Sequence, residues 1–234
     1  MHLNGMKVIQ DALAAVSQRI RTACQRAGRS EQDVSLIAVT KGVAGQRMVD
    51  LPALGISRVG ESRVQELLAK QKLLDAALEW HFIGKLQTNK VRSLINRVQL
   101  IHSLDRSELA HEISIRSVEA NATTSVLLQI NCLEAEERNG IPFGDALRFL
   151  EQTSKLPGIR ITGLMTIAPQ GDEAIVRPVF RRLYELRNKI DEEKLPGVKL
   201  EHLSMGMSED FEIAIEEGAT LIRVGSALFG PRSR

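Results

Sequence analysis

Cysteine and aromatic residues are scarce in this chain. Only Cys24 and Cys132 occur; they lie far apart, fit no metal-ligand spacing and are too few for a disulfide framework. Two free thiols in a reducing compartment are therefore expected. Aromatic residues make up 3% of the 234 residues, too few for a surface that stacks bases on interleaved rings. A basic block is missing too. The 31 Lys and Arg are interspersed with 29 Asp and Glu, for a net charge of +2, which leaves no nucleic-acid footprint. No apolar run approaches the ~20 residues of a membrane span, and the amino terminus has neither the basic nor the apolar region of a signal peptide. These absences predict a cytoplasmic protein with no nucleic-acid or membrane partner. No repeated apolar patch reads as an interface, so a monomer is expected. Hydrophobic residues at 43% and charged residues at 26% are the ordinary proportions of a globular domain with a sizeable core, not of a disordered chain.

What is present is a repeated βα rhythm. Val8, Leu13, Val16 and Ile20 predict an opening amphipathic helix that Gly28 ends. Eight β-rich runs follow: Val34–Thr40, Ser57–Glu61, Glu79–Gly84, Val98–Leu104, Ser125–Asn131, Ile159–Thr166, Val198–Ser204 and Thr220–Ser226. Each is followed by a helical stretch, except the last. Several are nearly continuous in apolar and β-branched residues, the pattern of parallel strands covered on both faces. Eight such units in one chain fit a closed (β/α)8 TIM barrel better than an open sheet, with the extra N-terminal helix placed beneath the barrel floor. The pairs Pro157-Gly158 and Pro196-Gly197 each sit just before a strand, and no linker divides the chain. Residues 1–234 are read as a single domain.

A barrel of this kind carries its chemistry at the carboxyl ends of its strands. Those positions hold Lys41, Glu61, His81, Gly84, Asn131, Met165, Ser204, Gly206, Ser208, Arg223, Gly225 and Ser226. Lys41 follows the apolar run LIAVT, and an amine beside low-dielectric walls is favoured in its neutral, imine-forming state. A solvated lysine closing a strand is the simpler alternative. The stretch from His202 to Gly230 places two glycine- and serine-bearing turns after strands seven and eight, where barrels often bind phosphate through backbone amides. Arg223 alternates with Ile222 and Val224, so it faces the barrel interior and needs either a carboxylate or a ligand acceptor.

The residues LIAVTK ending in Lys41, GESRVQE (60–66), EWHFIGKLQTNK (79–90), HSLDR (102–106), GLMTIAP (163–169), LSMGMSEDFEIAIEEGAT (203–220) and RVGSALFG (223–230) together resemble the pyridoxal phosphate homeostasis protein family (YggS/PROSC). That family is related in fold to the barrel domain of alanine racemase. The resemblance implies pyridoxal 5′-phosphate as cofactor, held as a Schiff base on Lys41. It also implies a phosphate cup around Ser204, Gly206, Met207 and Ser208, completed by Gly225 and Ser226, with Arg223 facing the pyridine nitrogen. It departs from the family pattern at Gly60-Glu61-Ser62, where an asparagine is usual in the third place.

The implied role is intracellular storage and delivery of the cofactor, with PLP-dependent apoenzymes as partners. No residue is assigned a catalytic role, and no metal ligand is expected. An arginine stays protonated at physiological pH and would keep the ring nitrogen unprotonated, which weakens the electron sink that amino-acid chemistry needs. A racemase would then require a second acid/base group. Tyr184 is read as helix packing, His81 as a structural hydrogen-bonding group, and Cys132 as a poor candidate for a catalytic thiol. A weak racemase, or another PLP enzyme of the same fold type, is one alternative. A Schiff-base sugar-phosphate aldolase, with Lys41 holding substrate, is the other.

Overall fold

In a computed structural model of the protein, which describes residues 2–74, 78–135, 137–195 and 198–231, eight parallel strands close into a barrel. They are β1 Ser35–Val39, β2 Arg58–Glu61, β3 Glu79–Phe82, β4 Leu100–Leu104, β5 Thr124–Asn131, β6 Ile159–Met165, β7 His202–Ser204 and β8 Leu221–Val224. Each strand pairs with the next. β1 also pairs with β8 (Ala38 opposite Val224), and β4 with β5 (Ile101 opposite Val126), so the sheet has no free edge. Ile141–Pro142 adds a two-residue extension beside the end of β5.

The strands sort side chains by the two-residue alternation. Ile37, Leu100, Leu127, Met165 and Leu221 pack together inside the barrel. Trp80, Phe82, Ile101, Leu128, Leu203, Ile222 and Val224 point outward into the layer beneath the helices. That outer layer holds most of the buried apolar residues and is the main core.

Helices α1 His2–Arg26, α2 Val64–Gln71, α3 Ser107–Glu119, α4 Ala146–Thr153, α5 Glu173–Glu192, α6 Phe211–Glu216 and α7 Ser226–Phe229 surround the sheet. After β1 and β3 the expected helices are short 3-10 turns, at Gly45–Met48, Pro52–Leu54 and Thr88–Ser93. The run Val198–Ser204 gives only a three-residue strand, and Thr220–Ser226 ends at Val224 because Ser226 opens α7. Pro157 and Gly158 do precede β6, whereas Pro196 and Gly197 lie outside the described residues.

The opening helix corrects the sequence reading in two ways. Its buried stripe runs through Ile9, Val16, Ala23 and Cys24, with Leu13 and Ile20 beside it, while Val8 is exposed. The stripe packs α1 along α6 and α7 on the barrel wall, and α1 contributes no residue to the floor cavity. The four-residue α7 leaves the wall after β8 uncovered, and α1 fills that place. Gly28, at φ +63, ends the helix as expected. Cys24 and Cys132 are free and buried. Among the described residues no helix is long and apolar enough to cross a membrane, and no cluster of His, Cys, Asp or Glu could hold a metal ion.

Candidate functional site

Because β1 and β8 are hydrogen-bonded neighbours, the segment after Val39 and the turn after Val224 rise side by side at the carboxyl-terminal rim. A cavity of about 460 Å³ opens between them, and Lys41, Met207, Ser208, Arg223, Gly225 and Ser226 all line it. Ile167, Ala168 and Pro169, from the loop after β6, close the side facing α5. Ser62 also lines the cavity.

The backbone around Lys41 is clamped from both sides. Lys70 Nζ, on α2, donates to Thr40 O at 2.7 Å, to Glu61 Oε1 at 2.6 Å and to Glu66 Oε1 at 2.7 Å. Glu66 in turn accepts the Gly42 amide at 2.6 Å, and Thr40 Oγ1 donates to Glu61 at 2.6 Å. Gly42 sits at φ +77, where a side chain would be strained. Glu61 is fully buried, and burial raises its carboxyl above the usual range despite Lys70 and Thr40. Burial acts on Glu66 in the same sense, but the Lys70 ammonium and the Gly42 amide outweigh it and lower that carboxyl. Lys70 was not a sequence candidate. Its i,i+4 spacing from Glu66 was the available signal, yet that spacing is also common on solvated helix faces.

On the β8 side, Ser208 Oγ accepts the amides of Gly225 and Ala227 at 3.1 and 3.2 Å. One side-chain oxygen thus occupies two amides that converge on the cavity, as an oxyanion would. Asp210 shapes the turn by accepting the Met207 amide at 2.5 Å; burial raises its carboxyl.

Two members of the expected cup lie elsewhere. Ser204 is fully buried and, as an inward-facing residue of β7, turns its hydroxyl into the barrel interior beneath the cavity. Gly206 is a packing position. It has φ +91, and a Cβ there would stand 2.6 Å from Ala214 Cβ and 2.9 Å from Phe211 Cα, so its absence lets α6 approach. Neither residue lines the cavity.

Arg223 points inward, as its alternation predicts, but it meets no carboxylate within ion-pair distance among the described residues. Nη1 donates to Ser204 Oγ at 2.6 Å and Nη2 to Thr166 O at 3.0 Å. Burial lowers its pKa to about 10, against the field of Asp210, which leaves it protonated at neutral pH. The other titratable candidates are not at the cavity. Tyr184 packs on the outer face of α5 over Gly218. Cys132 lines a separate cavity of about 180 Å³ beside Asn131, and burial pushes its thiol up to about 11. His81 lies inside the barrel, with Trp80 and Phe82 facing away.

The closed parallel barrel is that of the alanine racemase barrel class. The family model described as alanine racemase, N-terminal domain, matches residues 12–233. Within that class the chain belongs to the pyridoxal phosphate homeostasis protein family. It is 46% identical over 224 residues to the pyridoxal phosphate homeostasis protein of Aquifex aeolicus, covering 95% of this chain and 97% of that one. The Pseudomonas aeruginosa protein of the same name is 38% identical, covering 97% of each. Among solved structures, PipY of Synechococcus elongatus with PLP bound is 35% identical with a TM-score of 0.83, over 95% of this chain and 100% of that one. Alanine racemase from Corynebacterium glutamicum, at 16% identity, shares the fold (TM-score 0.68) over 95% of this chain and 62% of its own.

Proposed function

We propose that this chain binds pyridoxal 5′-phosphate in the cavity between β1 and β8, as an imine on Lys41, and takes part in storing and delivering that cofactor. The observation that carries the reading is the shared cavity. An amine and a set of converging amides stand on neighbouring rims, and the donor-only guanidinium of Arg223 lines the same cavity. The phosphate would take the Gly225 and Ala227 amides now held by Ser208 Oγ, and the Ser208 and Ser226 hydroxyls would donate to it. Arg223 would present N–H to the ring nitrogen.

When bound, the cofactor supplies an aldehyde that exchanges between amines and an electron sink whose strength depends on ring-nitrogen protonation. Here Arg223 can only donate, so it disfavours a protonated ring. The titratable side chains on the cavity wall, among the described residues, are Lys41, Arg47, Glu209, Asp210 and Arg223. No tyrosine, histidine or cysteine is placed there to act as the second acid/base of a racemase. A holding role is in keeping with the names of the relatives. Delivery to PLP-dependent apoenzymes follows from the same reading, since an imine can pass by exchange to another amine.

The test is the absorption of the purified protein after loading with pyridoxal phosphate. A visible band bleached by borohydride is expected, and Lys41→Ala should abolish it. A reducible band in that variant overturns the assignment. Amino-acid racemisation at enzymatic rates would favour the racemase reading instead.

A further inference from the structure

Beneath the cavity, a line of polar side chains crosses the barrel interior. Arg223 Nη1 donates to Ser204 Oγ at 2.6 Å, Ser204 Oγ lies 2.9 Å from His102 Nδ1, and His102 Nε2 lies 2.9 Å from His81 Nδ1. All four side chains are more than nine-tenths buried. They share the interior with the apolar group around Leu127 and Met165, where hydrogen bonds are strong and unmade ones are costly.

One direction along the line leaves no Ser204 proton without an acceptor. A guanidinium has no acceptor, so Ser204 oxygen receives from Arg223, and the acceptor within reach of its single proton among the described residues is His102 Nδ1. The His102 proton is then on Nε2 and is given to His81 Nδ1, which puts the His81 proton on Nε2. That atom has no partner among the described residues, and His81 lines a second cavity, of about 500 Å³, at the amino-terminal floor with Ser35, Gln99 and Ser125. Burial, with Arg58 and His202 acting in the same sense, lowers His81 to about 3. Burial, then His81, Arg223 and His202, lowers His102 well below its usual value. Both rings stay neutral, so a second proton does not reverse the order.

We propose that His102 and His81 are positioning residues for Arg223: a one-way column of hydrogen bonds fixes the aim of the guanidinium at the cofactor's ring nitrogen and connects that atom to the barrel floor. This rests on the cofactor reading above. Ser204, expected in the phosphate cup, is the column's link to Arg223.

The experiment loads the protein with pyridoxal phosphate labelled with ¹⁵N in the ring and records the nitrogen resonance, alongside borohydride trapping. His102→Leu should move the resonance and His81→Phe should move it less in the same direction. His102→Gln, whose amide keeps an acceptor and a donor at imidazole-like separation, should restore the wild-type position. Trapping should persist in all three, since none touches Lys41. Failure of trapping in the wild type would sink the cofactor reading. Normal trapping with an unmoved resonance in His102→Leu, or with His102→Gln displaced as far as His102→Leu, overturns the column. If His102→Leu does not fold, His81→Phe decides at the floor end: an unmoved resonance there is equally contrary.

Discussion

Ser208 and Ser204 lie four residues apart, and the structure gives them different work. Ser208 holds the amides of Gly225 and Ala227 at the cavity, whereas Ser204 holds Arg223 from below. Ser208→Ala should therefore weaken cofactor retention without changing the ring environment. Charge-assisted hydrogen bonds contribute roughly 1.5–3 kcal/mol each, so an affinity loss of about ten- to a hundredfold is expected by equilibrium dialysis; unchanged retention would remove Ser208 from the phosphate site. The histidine pair gives a second residue-scale prediction. His81 in the folded chain, near 3, lies below its usual 6.5, so the unfolded chain takes up the proton first. Stability is then full above about pH 6.5 and falls as pH drops toward 3, by up to about 1.4 kcal/mol per unit; His102 adds the same sign. Glu61, raised above 4.5, binds its proton first in the folded chain and offsets part of this loss at the acid end. Urea unfolding at pH 7, 6 and 5 should show the decline. A flat profile would contradict the neutral imidazole pair.

At the scale of elements, α2 acts on the segment after β1 through two side chains, Lys70 on the Thr40 carbonyl and Glu66 on the Gly42 amide. Lys70 spans from the helix to the Thr40 carbonyl and to two carboxylates, and so fixes the segment that carries Lys41. Removing one partner of a buried ion pair leaves the other uncompensated, at a cost of about 3–5 kcal/mol. Lys70→Met should lose stability on that order in denaturant titration and should expose the Gly42 amide to hydrogen exchange; retained protection at Gly42 would show the clamp to be dispensable. The eight strands were legible in the sequence because parallel strands covered on both faces leave near-continuous apolar runs. The regions after β1 and β3 were not, because apolar residues such as Met48, Leu51 and Val91 keep a helix-like spacing whether they sit on α-helices or on 3-10 turns. The place of α1 was also hidden. Periodicity shows that a helix has an apolar face, not which neighbour covers it, and the gap it fills exists only because α7 stops after four residues.

For the whole molecule, ring closure decides the site. Lys41 and Gly225 are 184 positions apart in the chain, yet β1 and β8 pair residue for residue from Ser35–Leu221 to Ala38–Val224. That adjacency was inferable from eight βα units, and with it six of the eight expected cofactor contacts fall on one cavity. Ser204 and Gly206 lie off that cavity, because Ser204 turns its side chain into the barrel interior and Gly206 packs against α6, and turn composition reveals neither. His102 was missed because an inward histidine in an apolar strand looks like any satisfied core residue, and only coordinates join it to Ser204 and His81. The central claim is that one amine at the mouth of this barrel carries the cofactor. Mass spectrometry of a digest of the loaded, borohydride-reduced protein tests it most directly. The pyridoxyl mass should be confined to the peptide containing Lys41 and be absent from Lys41→Ala; stoichiometric label on another lysine, with Lys41 unmodified, would contradict the account.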